Sequence, residues 1–429
     1  MRRYLFVLSC IFIAQWSSGC THQDLKARQA GEVPKTRQEA IRVSGDNKDA
    51  AEPAMAAASD GSVYLVWVEH DADGGADVML AGFDAKGKSN GPAMRINSKQ
   101  GEAKAWRGDP PTVGVAPDGT VYVGWTARVP PHFDGTELFL SASRDKGASF
   151  DLPVKVNDDQ KLAVNGMHSL AIAPDGSVFM SWLGEPNKVG KPRRHKKGHK
   201  HGAEPNRELF VSSSNDRGKN FSGNRLVSRD ACPCCKTSLA VAPDQRIYVS
   251  WRQVLPGNLR HIAVASSSDQ GQTYSSPVVV SDDRWMIAGC PVSGSSLSVS
   301  GDGKLQIVWY SAGEAGPTGI YRSESQDAGK SFTPRQLIAE GQAQGTPVVL
   351  AHVKGDIAVW QKDLGASAQV VTASLDDKLP ATTGLRKEAN SELPAASLVN
   401  DQIRIAYVRE VAKDQRSVWL LRMPAANTR

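Results

Sequence analysis

The sequence predicts an all-β chain, a β-propeller of seven four-stranded blades, with six as the alternative count. Three observations carry that expectation. An apolar run ending in an aromatic residue recurs along the chain, at Trp67, Trp125, Trp182, Trp251, Trp309, Trp360 and Tyr407. The intervals are 58, 57, 69, 58, 51 and 47 residues, a unit size suited to four short strands and their turns. Turn-forming pairs such as Asp60-Gly61, Asp118-Gly119, Asp175-Gly176 and Asp302-Gly303 stand just ahead of most of these runs.

Within each unit, a first strand precedes the turn and a second ends in the aromatic marker. β-Branched and aromatic residues dominate the second strand, as in SVYLVW, TVYVGW and RIYVSW, which suits a strand buried on both faces. A third strand precedes a further turn and a fourth follows it, as in PVKVN and PVVVSD. The last unit ends after its third strand, near Met423. The segment Glu39–Ser44 (EAIRVS) resembles the fourth strands of the other units. Laid beside that third strand, it is expected to close the ring and cover its exposed edges.

The turn between third and fourth strands has its own signature in four units. It reads Ser143-x-Asp145-x-Gly147-x-x-Phe150, then Ser214-x-Asp216-x-Gly218-x-x-Phe221, Ser267-x-Asp269-x-Gly271-x-x-Tyr274 and Ser325-x-Asp327-x-Gly329-x-x-Phe332. These segments resemble the Asp-boxes of the sialidase-like BNR-repeat family. A carboxylate in such a turn accepts hydrogen bonds from its own backbone, glycine supplies a left-handed torsion, and the aromatic packs beneath the hairpin. Asp145, Asp216, Asp269 and Asp327 are therefore expected to be structural.

The chain opens on Arg2 and Arg3, an apolar run from Tyr4 to Trp16, and the small residues Ser17, Ser18 and Gly19 ahead of Cys20. That run is too short for a permanent membrane span and suits a signal peptide over 1–19. The stretch ending in Cys20 resembles a bacterial lipobox, so a lipid on Cys20 and a membrane anchor are expected. Residues 20–37 read as a polar tether, 38–425 as one β domain, and 183–206 as an inserted loop. The implied location is the bacterial cell envelope, as a periplasm-facing or surface lipoprotein of the outer membrane.

The formal net charge of +6 falls to +4 without Arg2 and Arg3. Seven further lysines and arginines crowd between Lys188 and His201, leaving about −3 elsewhere. The basicity thus belongs to one loop and excludes a general case for nucleic acid, while a protein partner or an anionic glycan stays open there.

Chemistry is expected where the inserted loop and the connections between units meet, on one end of the ring. Cys232, Cys234 and Cys235 stand in one such connection and Cys290 in another, in register with Cys232, with Met167 and His168 of a third unit about two or three positions further inward. Two readings stay open. The four cysteines form disulfides, for example Cys232 with Cys290, or they join His168 in a soft-metal site for copper or zinc. His195, His199 and His201 of the inserted loop could feed or cover that site. Trp106, Arg107, Asp109, Arg229, Arg284 and Trp285 are candidate binding residues on neighbouring connections.

The sialidase resemblance implies an arginine triad holding a substrate carboxylate, a Tyr–Glu nucleophile pair and an aspartic acid/base. The family's early Arg-Ile-Pro motif is absent, and Tyr310 and Glu314 are candidates by location only. Catalytic residues therefore stay unassigned and enzymatic activity stays open. The main expectation is a lipoprotein scaffold that binds a ligand or partner. Soft-metal binding is the first alternative and sialidase-type exo-glycosidase activity the second.

Overall fold

Seven aromatic-marked strands lie at the centre of the molecule's sheets, and the marker side chains account for most of its deepest core. Trp67, Trp182, Trp251, Trp309 and Tyr407 are wholly buried, and Trp125 and Trp360 nearly so. The computed structural model describes residues 40–71, 74–104, 108–128, 135–161, 163–186, 205–287, 289–376, 382–384 and 390–424. The leader 1–19, Cys20, the tether, Trp106, Arg107 and most of the inserted loop, with His195, His199 and His201, lie outside the described residues.

The pattern along Val63–His70 shows why these strands form. All of its residues but the last are buried, and successive side chains point to opposite faces. Leu65 and Trp67 enter a cluster with Ala406, Val408 and Leu420. Tyr64, Val66 and Val68 enter another with Val121, Val123 and Trp125. The core therefore lies between neighbouring sheets, and each central strand supplies both its faces to it.

The hydrogen-bonded ladders define five four-stranded sheets and one eight-stranded sheet, all antiparallel. None of them closes into a ring. This corrects the expected closed β-propeller of seven, or alternatively six, separate four-stranded blades. The eight-stranded sheet arises because Arg225–Ala231 pairs not only with Arg207–Ser214 but also, through Ala231 and Gln253, with Ile247–Leu255. The cysteine-bearing connection continues that edge, since the Cys232 N–H donates to the Arg252 carbonyl at 2.8 Å. The segment read as a crossing between two sheets thus begins by pairing along the edge of the second sheet before it turns. The N-terminal strand Ile41–Arg42 pairs with Gln415–Pro424, with Ile41 opposite Leu420, and completes one four-stranded sheet.

The four Ser-x-Asp-x-Gly turns share one geometry. In the first, the Ser143 hydroxyl donates to Asp145 Oδ1 at 2.7 Å and the Gly147 N–H donates to Ser143 Oγ at 2.7 Å. The Ser149 N–H and hydroxyl then donate to the Asp145 carboxylate at 2.9 and 2.5 Å. The same pattern recurs at Asp216, Asp269 and Asp327. The glycines take φ of +85°, +80°, +81° and +79°, a region that residues with a Cβ resist.

Candidate metal centre

The cysteines meet where Arg225–Ala231 gives way to a tight turn. Pro233 sits between Cys232 and Cys234, and the Cys235 N–H reaches back to the Cys232 carbonyl at 3.4 Å. The turn folds the three side chains onto one point. The sulfurs of Cys232, Cys234 and Cys235 all lie within 4.8 Å of one another. The Cys232 sulfur is 3.8 Å from that of Cys234 and 3.4 Å from that of Cys235. All three residues are buried, among Met167, Leu239, Val249 and Trp251.

A fourth sulfur comes from the segment between Val278–Val279 and Ser295–Val299. Cys290 forms a disulfide with Cys234, with Cα atoms 6.1 Å apart, while Cys232 and Cys235 are free thiols. The Cys232–Cys290 pairing given as an example from sequence is therefore replaced by Cys234–Cys290. Cys290 itself is exposed, so one end of the bridge faces solvent and the other is deep in the core.

The electrostatics of the cluster favour an anionic sulfur. A hydrogen bond from the Cys235 thiol holds Cys232 well below the usual thiol range, against burial, with help from the charges of Arg260 and Arg252. Burial pushes Cys235 well up, and the adjacent Cys232 sulfur adds to that.

Both arginines are themselves buried, Arg252 completely. Arg252 Nε and Nη2 donate to the carbonyls of Ser293 and Tyr310, each at 3.0 Å, and its guanidinium lies 4.7 Å from the Trp285 ring centre. Among the described residues, Arg252 Nη1 and Arg260 Nε and Nη1 have no hydrogen-bond partner. Buried cationic donors left open in this way lower the cost of a negative charge nearby.

His168 takes a different place. Its Nδ1 lies 3.1 Å from Asp109 Oδ1 and its Nε2 lies 3.3 Å from the Gly124 carbonyl, so both ring nitrogens have partners away from the sulfurs. Asp109 also accepts the His168 N–H at 3.2 Å and faces the Thr126 hydroxyl at 3.3 Å. Lys236, next in sequence to Cys235, donates to the His168 carbonyl. Burial brings the Lys236 amine down to about 8, although the charges of Asp109 and Glu52 oppose the change. Met167, with φ of +56°, packs against the cysteines and stands next to His168 of this polar network.

The other candidates are scattered. Arg229 is exposed and pairs with Glu208. Arg284 is exposed, with Nη2 donating to the Glu314 carbonyl at 3.4 Å. Trp285 is buried, edge-on to Tyr310 at 5.6 Å. The Tyr310 hydroxyl donates to Gln342 at 2.6 Å rather than to a glutamate.

A cavity of about 210 Å³ opens beside Lys236, lined by Met55, Ser169, Ser238, Ser296 and Thr346 among others. Its serines already accept backbone N–H groups, Ser169 from Leu239, Ser238 from Leu297 and Ser296 from Val349, each at 3.1 Å. They stitch neighbouring strands together.

Arg252 and Arg260 escaped sequence reasoning, although a signal existed. Arg252 follows its marker Trp251 at a position where the other units place Val68, Thr126, Leu183, Tyr310, Gln361 and Val408. A lone charge inside a mostly buried strand asks for a partner.

No protein-family model matches the chain, and no curated protein matches it. Solved structures do. An ulvan lyase of a new polysaccharide lyase family is 11% identical with a TM-score of 0.57, over 91% of this chain and 99% of that one. The polysaccharide lyase Uly1 is 11% identical with a TM-score of 0.52, over 87% and 89%. A protein of unknown function from Dyadobacter fermentans is 14% identical with a TM-score of 0.51, over 91% and 100%. At such identities the likeness is one of all-β fold. It shows the fold alone and assigns no residue a role.

Proposed function

We propose that the chain is a thiolate metal-binding protein that takes a soft cation, zinc or copper(I), at Cys232, Cys234, Cys235 and Cys290. The observation that supports this reading most is the convergence of three buried sulfurs within 4.8 Å of one another. Zinc–sulfur bonds of about 2.3 Å at tetrahedral angles need sulfurs about 3.8 Å apart, and copper(I) favours the same soft donors. The Cys232–Cys234 separation of 3.8 Å meets that need and the Cys232–Cys235 separation of 3.4 Å requires a small opening. Cys234 and Cys290 join the donor set once their disulfide is reduced. Arg252 and Arg260 then offset the charge of the thiolates.

The leader and Cys20 support placing this site in the cell envelope, on a lipid anchor. There, unpaired thiols call for a purpose beyond packing. The shared geometry of the four Ser-x-Asp-x-Gly turns supports assigning them to the Asp-box class, which leaves their carboxylates out of the chemistry.

Reduced, metal-free full-length protein is the test material. It should bind one zinc or copper(I) ion per chain against a competing chelator, and C232S or C235S should weaken that by roughly ten- to a hundredfold. Copper(I) binding should also raise a sulfur-to-metal ultraviolet band that C232S and C235S lose. Reduced protein that takes no stoichiometric metal, or thiol variants that bind as tightly as the parent, overturn the reading.

A further inference from the structure

We propose that the four cysteines form a thiol–disulfide relay that moves a disulfide from the surface to the core and frees Cys290 to reduce an external disulfide. This goes beyond metal binding and stands without it. The geometry carries it: a free buried thiol, Cys232, lies 3.8 Å from the buried sulfur of the Cys234–Cys290 bridge, and a second free thiol, Cys235, lies 3.4 Å from Cys232.

The steps balance without any added oxidant. The Cys232 thiolate attacks Cys234 Sγ, the Cys234–Cys290 bond breaks, a Cys232–Cys234 bond forms, and Cys290 leaves as a thiolate. The proton lost by Cys232 is matched by one taken up at Cys290. Cys235 then attacks Cys232 Sγ, giving a Cys232–Cys235 bond and a free Cys234. Two thiols have replaced two thiols and one disulfide has replaced another, so no net oxidation has occurred.

Exposed Cys290 can now attack a small or protein disulfide, releasing one of its halves as a thiol. Cys234 resolves the mixed disulfide, releases the other half and restores the Cys234–Cys290 bridge. Over this single turnover, Cys232 and Cys235 are oxidised to a disulfide and the external disulfide is reduced to two thiols. The open guanidinium donors of Arg252 and Arg260 favour the negative sulfur that each core step requires.

The test is alkylation of the native, metal-free full-length chain with no reductant present, followed by peptide mapping. Cys290 should become labelled while Cys232 appears bridged to Cys234 or Cys235. The C232S chain should label Cys290 at least about tenfold less, because its bridge has lost its attacker. The C235S chain should still label Cys290, since the first step survives, which separates loss of the relay from loss of the fold. Added small aromatic disulfide should release both of its halves as thiols from the parent chain. Equal Cys290 labelling in C232S and parent, or no labelling before denaturation, overturns the relay. A chain that fails in this way yet takes metal when reduced keeps the metal reading and loses only this one.

Discussion

At the scale of single residues, the decisive groups are buried ions whose partners lie far away in sequence. Asp109 is the clearest. Burial by itself would raise its proton affinity, but the His168 ring and its hydrogen bond outweigh that and hold the carboxyl below the usual range, with Lys236 adding to the effect. A carboxyl lowered in the folded state stabilises the fold above its ordinary value of 3.8. That contribution is lost as pH falls through the lower folded value. Asp109→Asn should therefore cost about 3 kcal/mol at neutral pH, read as a lower urea midpoint at unchanged slope, and its stability should depend less on pH below about 4. An unchanged midpoint would show that His168 finds another partner. The sequence placed Asp109 on a connection between units and His168 in register just inward of the cysteines, and so made both legible as candidates. It did not show that they meet, because 59 residues separate them and no local pattern encodes the pair.

Among the elements, the Ser-x-Asp-x-Gly turns were readable almost atom by atom, because every partner lies within four residues. Hydrogen bonds from Ser149, Thr273 and Ser331 hold Asp145, Asp269 and Asp327 at about 2. Their contribution is complete above the ordinary value of 3.8 and disappears as pH falls toward 2. Replacing these three by asparagine should flatten the acid limb of the stability curve between those values, as followed by circular dichroism.

Two glycines with the same torsion separate backbone strain from packing. Gly119 and Gly218 take φ of +84° and +80°. A Cβ at Gly119 meets nothing within 4 Å, whereas one at Gly218 comes 3.0 Å from both Leu140 and Tyr122. Gly119→Ala should cost about 1 kcal/mol through strain alone. Gly218→Ala should cost about 1–3 kcal/mol more, because a well-packed neighbour has to move. Equal losses in denaturant titrations would show that the core beneath the second turn yields freely.

For the whole molecule, the strands were legible and their assembly was not. The burial of the marker strands on both faces is written in runs of Val, Ile, Leu and aromatic residues, so each central strand falls where its Trp or Tyr indicates. Whether a connecting segment crosses between sheets or pairs along an edge depends on one contact, Ala231 with Gln253, that no composition reveals. The same limit hid the cysteine pairing, since four cysteines allow three full pairings and partial ones besides, and distance alone selects Cys234–Cys290.

The edge that the N-terminal strand covers gives the last prediction. Ile41–Arg42 lies along Gln415–Pro424, the Val418 N–H donates to Ser44 Oγ at 3.0 Å, and the Val43 N–H donates to the Val418 carbonyl at 2.9 Å. Just beyond, the Asp49 carboxylate receives Arg416 Nε and Nη2 at 2.8 and 2.7 Å, a two-pronged pair that ties the first sheet to the last. A chain starting after Gly45 keeps that ion pair but leaves a long strand edge bare. Such an edge pairs with another copy or aggregates. Truncation should therefore produce concentration-dependent dimers or aggregates by light scattering. Arg416→Met in the full-length chain should lower stability while leaving its state of association unchanged. A truncated chain that stays monomeric and equally stable would mean that this edge is protected by something other than the strand paired with it.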